Sequence, residues 1–102
     1  MIRVSVMYPN ETGKRFDWTY YLDKHQAAVH QKLQPLGLVR KEVDRGVGTA
    51  QPGAQAPFIA MAHMYFDCME DTQKCLAHAA ELMSDVPNFT DIQPQVQISE
   101  VL

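Results

Sequence analysis

The order of periodicities along the chain predicts an α+β fold of the ferredoxin-like type, a βαββαβ sandwich with one four-stranded antiparallel sheet. Three observations carry that prediction. Four segments read as strands and two as helices, in the order strand, helix, strand, strand, helix, strand. The third strand segment is apolar on both faces, which suits the middle of a sheet. The second carries a run of charges and the fourth a proline, which suit the edges.

Residues 2–8 alternate Ile2, Val4, Val6 and Tyr8 against Arg3, Ser5 and Met7, the period of a strand. A turn follows from Pro9 to Gly13. Asp17 is placed to cap a helix, because its carboxylate can accept from the free N–H groups of the first turn. Trp18, Leu22, His25, Val29 and Leu33 then fall on one stripe at steps of three and four, until Pro35 and Gly37 end the helix. Residues 38–47 form the charged edge strand, and 48–57, rich in Gly, Ala, Gln and Pro, a hairpin loop. Residues 57–67 give the central strand. Asp67 and Glu70 have the spacing of a capping box for a second helix that runs to about Met83, with Thr72, Cys75, Leu76, Ala79, Ala80 and Met83 inward. Pro87 and Asn88 break the chain, and 92–102 hold the last strand.

The 102 residues fit one domain, and 46% of them are apolar, as in ordinary globular proteins. The net charge of −3 leaves no basic footprint for a nucleic acid. No apolar run is long enough to span a membrane, and the N-terminus alternates as a strand instead of showing a secretory signal, so a cytoplasmic location is the default. Cys68 and Cys75 on one helix stand about 10.5 Å apart along its axis, too far to bridge, so both are expected to be free thiols.

The alternation sorts the sheet into two faces. Ile2, Val4, Val6, Phe58, Ala60 and Ala62 lead a face without charge, which must carry the helices. The other face mixes Met7, Ile59, Met61, His63 and Tyr65 with Arg3, Ser5, Gln95, Gln97 and Ser99. A bare patch of that size is unusual on a monomer. A second copy laid sheet to sheet would cover it and enclose the polar residues in a two-sheet barrel.

The run Ile2-Arg3-Val4-Ser5-Val6-Met7-Tyr8-Pro9, the pair Phe16-Asp17, the helix element Tyr20-Tyr21-Leu22-Asp23-Lys24-His25 and the ending Pro94-Gln95-Val96-Gln97-Ile98-Ser99-Glu100-Val101 resemble the EthD family over essentially the whole chain. The resemblance implies a homodimeric α/β barrel of ferredoxin-like protomers, a place in xenobiotic degradation and, by the label its members often carry, an oxidoreductase. One departure stands out: His25 is followed by Gln26-Ala27-Ala28 where many members have His-x-Pro-Leu, which bears on the helix geometry near His25.

No phosphate-binding glycine loop, Cys-x-x-Cys or His-Glu-x-x-His motif is present, so neither a cofactor nor a metal is indicated. His25, on the inward stripe, reads either as an acid/base or as a buried histidine held by a backbone carbonyl or a tyrosine, with Tyr8 and Tyr21 the nearest candidates. His63 reads either as a catalytic group on the open face, near Ser5 and Gln97, or as a histidine bonded across a dimer. No inward carboxylate is expected beside either. His30 and His78 read as solvated. Tyr8, Tyr21 and Tyr65 offer an aromatic wall for a small hydrophobic or aromatic ligand, or simply core edge. Arg3 could anchor an anion or pair with Glu100. Two functional classes follow. One is a cofactor-independent enzyme doing isomerase, dehydratase or cyclase chemistry on a small aromatic or lactone-like metabolite, with catalytic His25 or His63 and ligand-binding Tyr8, Tyr21, Tyr65, Arg3, Ser5 and Gln97. The other is a non-catalytic binding or accessory protein of an oxidative pathway.

Overall fold

The computed structural model describes residues 1–102. Strands β1 (Ile2–Pro9), β2 (Leu38–Arg45), β3 (Phe58–Phe66) and β4 (Gln95–Glu100) form one antiparallel sheet in the order β2-β3-β1-β4. The charged and proline-preceded strands are its edges and the two apolar ones its centre, as their composition predicts. The register aligns Val4 with Met64 and Ile98, and Ser5 with His63 and Gln97, so the two faces sort as the alternation requires. No helix is long and apolar enough to cross a membrane.

Helix α1 covers residues 18–33. Asp17 caps it, its carboxylate accepting from the Tyr20 N–H at 3.1 Å. A short 3-10 turn, Gln34–Leu36, closes it, and Gly37 follows at φ 104°. Only glycine adopts that angle readily, and a side chain there would also meet the Asp71 carboxylate.

The second helical stretch departs from the expected outline in two ways, and β4 in one. The helix begins one residue late: β3 runs to Phe66, and Cys68 takes the cap position of α2 (Met69–Leu76) without a side-chain cap bond. Asp67 is left in the turn, so the capping box does not form. The buried Thr72 hydroxyl instead donates to the Cys68 carbonyl at 2.9 Å. The helix then breaks at Ala77–His78 and restarts as α3 (Ala79–Met83), which resets its phase and leaves Ala80 exposed. Finally, β4 starts at Gln95 rather than at Ile92, since Pro94 has no N–H to give a ladder. Ile92 is buried within the loop, and its N–H donates to Thr90 Oγ1. Likewise β2 stops at Arg45, and Val47 stands in the open.

Both cysteines are free, as expected; Cys68 is exposed, and burial pushes the Cys75 thiol up to about 11. The helices cover β1 and β3 but leave the helix-side residues of β4, Val96 and Ile98, 48% and 41% exposed. That uncovered margin is where the site described next opens.

Candidate functional site

The site begins with a local irregularity. Between Trp18–Tyr20 and Gln26–Leu33, both α-helical, residues Tyr21–His25 form a π turn in which the Gln26 N–H reaches the Tyr21 carbonyl. Such a turn holds one residue more than an α turn, so the inward stripe shifts. Tyr21 is buried in place of the expected Leu22, which is 46% exposed. Two consecutive residues, His25 and Gln26, both end up inside, each 6% exposed.

The partner of His25 is neither Tyr8 nor Tyr21. Asp85 Oδ2 lies 2.9 Å from His25 Nδ1. Asp85 Oδ1 accepts from the Tyr20 hydroxyl at 2.7 Å and from Asn88 Nδ2 at 2.8 Å. Asn88 can reach it because Val86–Asn88 forms a 3-10 turn directly after Asp85. Arg15 steadies that turn, its Nη2 donating to the Pro87 carbonyl at 2.7 Å. Burial alone would raise the Asp85 carboxyl, but bonds from Tyr20, Asn88 and His25 together outweigh it and hold the group below its usual range. An ionised carboxylate only accepts, so His25 Nδ1 carries the hydrogen and Nε2 the lone pair. Nε2 has no partner within the chain. The ring is wedged between Phe89, 4.7 Å away between centroids, and Tyr21, stacked at 5.9 Å.

This imidazole lines a cavity of about 70 Å³ between the helices and the sheet. Its wall is otherwise almost wholly apolar, with Val6, Val29, Met64 and Leu82 among its members. The other polar residues on it are Gln26, its buried Oε1 without a partner, and Tyr8. The Tyr8 hydroxyl makes no bond within the chain, and burial, aided by the charge of Asp85, pushes its pKa up, so it remains an O–H donor. A larger outer pocket of about 230 Å³ adjoins this cavity at Met83 and Val96.

The chain as a whole is similar to known proteins. The EthD domain pattern matches residues 10–93. This chain belongs to the EthD family. Among solved structures, an EthD-like protein from Ralstonia eutropha JMP134 shares 38% identity, with 99% of this chain and 91% of that one covered and a TM-score of 0.89. An ethyl tert-butyl ether D family protein from Bacillus halodurans C-125 is 23% identical, covering 100% of this chain and 99% of its own at a TM-score of 0.74. A dimeric ferredoxin-like protein from an uncultured marine organism shares the fold at 14% identity, 99% and 93% coverage and a TM-score of 0.60. No curated protein sequence matches.

Within this EthD domain, the sheet separates the residues singled out in the sequence. Tyr8 and His25 meet at the cavity on the helix side. Tyr21 does not line it: its ring backs His25 and its hydroxyl is sealed beside the Gln26 amide, neither completing a bond there. Ser5, His63, Tyr65, Arg3 and Gln97 lie on the opposite face. There Asp44 Oδ2 is 3.0 Å from His63 Nε2, and the Ser5 hydroxyl is 2.8 Å from Nδ1, so both ring nitrogens are engaged. Tyr65 is buried under the Arg40 guanidinium, 4.0 Å from its ring. Gln97 donates to Ser99 Oγ. Arg3 does not pair with Glu100: Glu100 stands opposite Ile2, on the helix side, while Arg3 stands opposite Ser99.

The absence of carboxylates expected around the histidines is therefore corrected twice, by Asp85 and by Asp44. Asp85 and Asn88 sit in a segment that reads only as a chain break, and Phe89 just after it carries no periodic signal. His30 is exposed, whereas His78 is half-buried, 3.7 Å from Glu81. No group of three or more His, Cys, Asp or Glu side chains gathers as metal ligands do.

Proposed function

We propose that this EthD domain binds a small apolar molecule in the helix-side cavity and moves a proton on it. One contrast carries the reading: His63 has both ring nitrogens bonded, whereas His25 has one tethered to a carboxylate and the other free at an apolar wall. That is the arrangement of a general base whose orientation and charge are steadied from behind. His25 Nε2 takes a proton from a carbon next to a carbonyl, or from a hydroxyl. Asp85 stabilises the imidazolium that results, and the Tyr8 O–H donates to oxygen as negative charge develops there. Isomerisation, dehydration and cyclisation share this step. The nearly unbroken apolar wall also favours a second reading, a carrier that holds such a molecule without changing it.

Hydrogen exchange at an activated carbon separates the two. With phenylacetone in deuterium oxide, followed by NMR, the protein is expected to accelerate α-exchange above the buffer rate. His25→Gln should lower that acceleration about 10²-fold or more while the melting temperature stays within a few degrees. Equal exchange in both proteins would leave the carrier reading.

The same proposal includes a homodimer in which a second copy covers the open face. Half-buried Met7, Ile59 and Met61 on that face support it, as does the dimeric ferredoxin-like relative. Light scattering should then give about twice the chain mass of 11.6 kDa. A monomer at micromolar concentration would remove this part of the proposal.

A further inference from the structure

The inner cavity and the outer pocket share two residues, Met83 and Val96. Met83 is the last residue of α3, and Val96 is the second residue of the edge strand β4, its side half open to solvent. Together they form the two sides of a passage. Inward of it lie His25 and Tyr8, with Gln26, whose side-chain Oε1 also lacks a partner, on the same wall. Outward of it the pocket is walled by Val86, Pro87 and Pro94, with Gln93 at its edge.

The inner cavity alone, at about 70 Å³, is smaller than the roughly 150 Å³ in which a protein interior holds benzene, so a bound molecule must extend toward the outer pocket of about 230 Å³. A molecule confined to the inner space would leave the outer apolar walls wet. A polar molecule long enough to fill both would bring several polar groups past Met83 and Val96, where Gln93 is the single polar side chain and the other walls are apolar. The chemistry that fits both spaces is a polar, hydroxyl- or carbonyl-bearing head on an apolar tail of several carbons.

We infer that the ligand of this site is such a tailed molecule, its head at His25 and Tyr8 and its tail threaded between Met83 and Val96 into the outer pocket, and that these two residues set the tail length accepted. The inference rests on the reading of the helix-side cavity as the ligand site. It assigns to Met83 and Val96 a role in specificity and none in chemistry.

A series of 4-alkylphenols from methyl to heptyl, titrated by NMR against the isotope-labelled protein, tests it. Shifts at His25 and Tyr8 report the head, and shifts at Met83 and Pro94 neighbours report the tail. Affinity is expected to rise about fourfold per added methylene, the scale of burying one CH₂, until the outer pocket is full. Met83→Trp should flatten that rise for propyl and longer tails, so that the ratio of 4-heptylphenol to 4-methylphenol affinity falls well below that of the parent. Val96→Trp approaches the same passage from the exposed strand edge and should do likewise, which keeps the test open if the Met83 variant folds poorly. Affinity that levels off at methyl, or that climbs equally in the parent and both variants, overturns the inference while leaving the cavity as a head-group site. If 4-methylphenol and its longer homologues all fail to shift His25 and Tyr8, the cavity reading itself falls, and the inference with it.

Discussion

Replacing Asp85 with asparagine is expected to leave the domain folded and to lower proton-transfer activity about 10²- to 10⁴-fold. The reason lies in which atoms accept. Asp85 Oδ1 holds two donors, the Tyr20 hydroxyl and Asn88 Nδ2, so in the variant the amide oxygen stays with them. The amide NH₂ is then turned toward His25, and an NH₂ group donates. His25 Nδ1 must accept, the ring hydrogen moves to Nε2, and the lone pair that faced the cavity is gone. Nitrogen chemical shifts of the imidazole should show this change of tautomer directly, whether or not a substrate is in hand. An unchanged tautomer with unchanged exchange activity would mean that Asp85 does not orient a base.

The same substitution should alter the response to acid. The folded-state pKa of Asp85 is depressed, so its contribution to stability is complete above the unfolded-state value and is lost as pH falls through the folded one. Urea midpoints of the parent should therefore drop in the acid range below ordinary carboxylate values. The Asp85→Asn variant, with nothing to protonate at that position, should lack this component.

Phe89→Ala is expected to cost about 3–5 kcal/mol, a large part of the 5–15 kcal/mol that holds a domain of this size together. Phe89 is fully buried, and its ring meets Tyr21 at 5.1 Å, Phe16 at 5.6 Å, Tyr8 at 5.8 Å and His25 at 4.7 Å between centroids. Its backbone is tied in as well, the Phe89 carbonyl accepting from the Asp17 N–H at 2.7 Å. Rings at fixed positions around it cannot all close in on the space it leaves, so most of the cavity would persist. Phe89→Leu keeps most of the volume and should cost closer to 1 kcal/mol. Equilibrium denaturation distinguishes the two; equal and small losses would show that the cluster collapses after all.

The sheet was legible because its information is local. Alternation in Val4, Val6 and Tyr8 against Arg3, Ser5 and Met7 assigns faces without any knowledge of neighbours, and the charges of β2 mark an edge by themselves. The cap at Asp17 is local too. The site is not. His25 and Asp85 are 60 residues apart, and what joins them is the packing of the end of α3 beside the start of α1. The βαββαβ order already brings those ends together, so an acidic residue just past Met83 had a claim to be the partner of a histidine on the first helix. The π turn hid the rest. A stripe drawn at 3.6 residues per turn admits both Tyr21 and Leu22 and passes over Gln26, because period alone cannot register one extra residue. His63 misled for a different reason: a polar residue on a mixed face invites a catalytic reading until the pair Ser5 and Asp44 is seen to occupy both of its nitrogens.

That extra residue in the first helix has a genetic meaning. A turn of the π kind differs from its α counterpart by a single codon. Deleting one residue between Tyr21 and His25 would let the helix close into a regular α turn with the flanking segments nearly in their present rotation, because a π turn absorbs its extra residue within a single turn. Asp17 would keep its bond to the Phe89 carbonyl, but the stripe would hold either His25 or Gln26 beside Tyr21, not both. The wall that carries the imidazole can thus be gained or lost by a lineage in one reading-frame-preserving event, without any substitution in the sheet. Length in this helix, more than residue identity, would then mark which descendants of a common ancestor kept the chemistry.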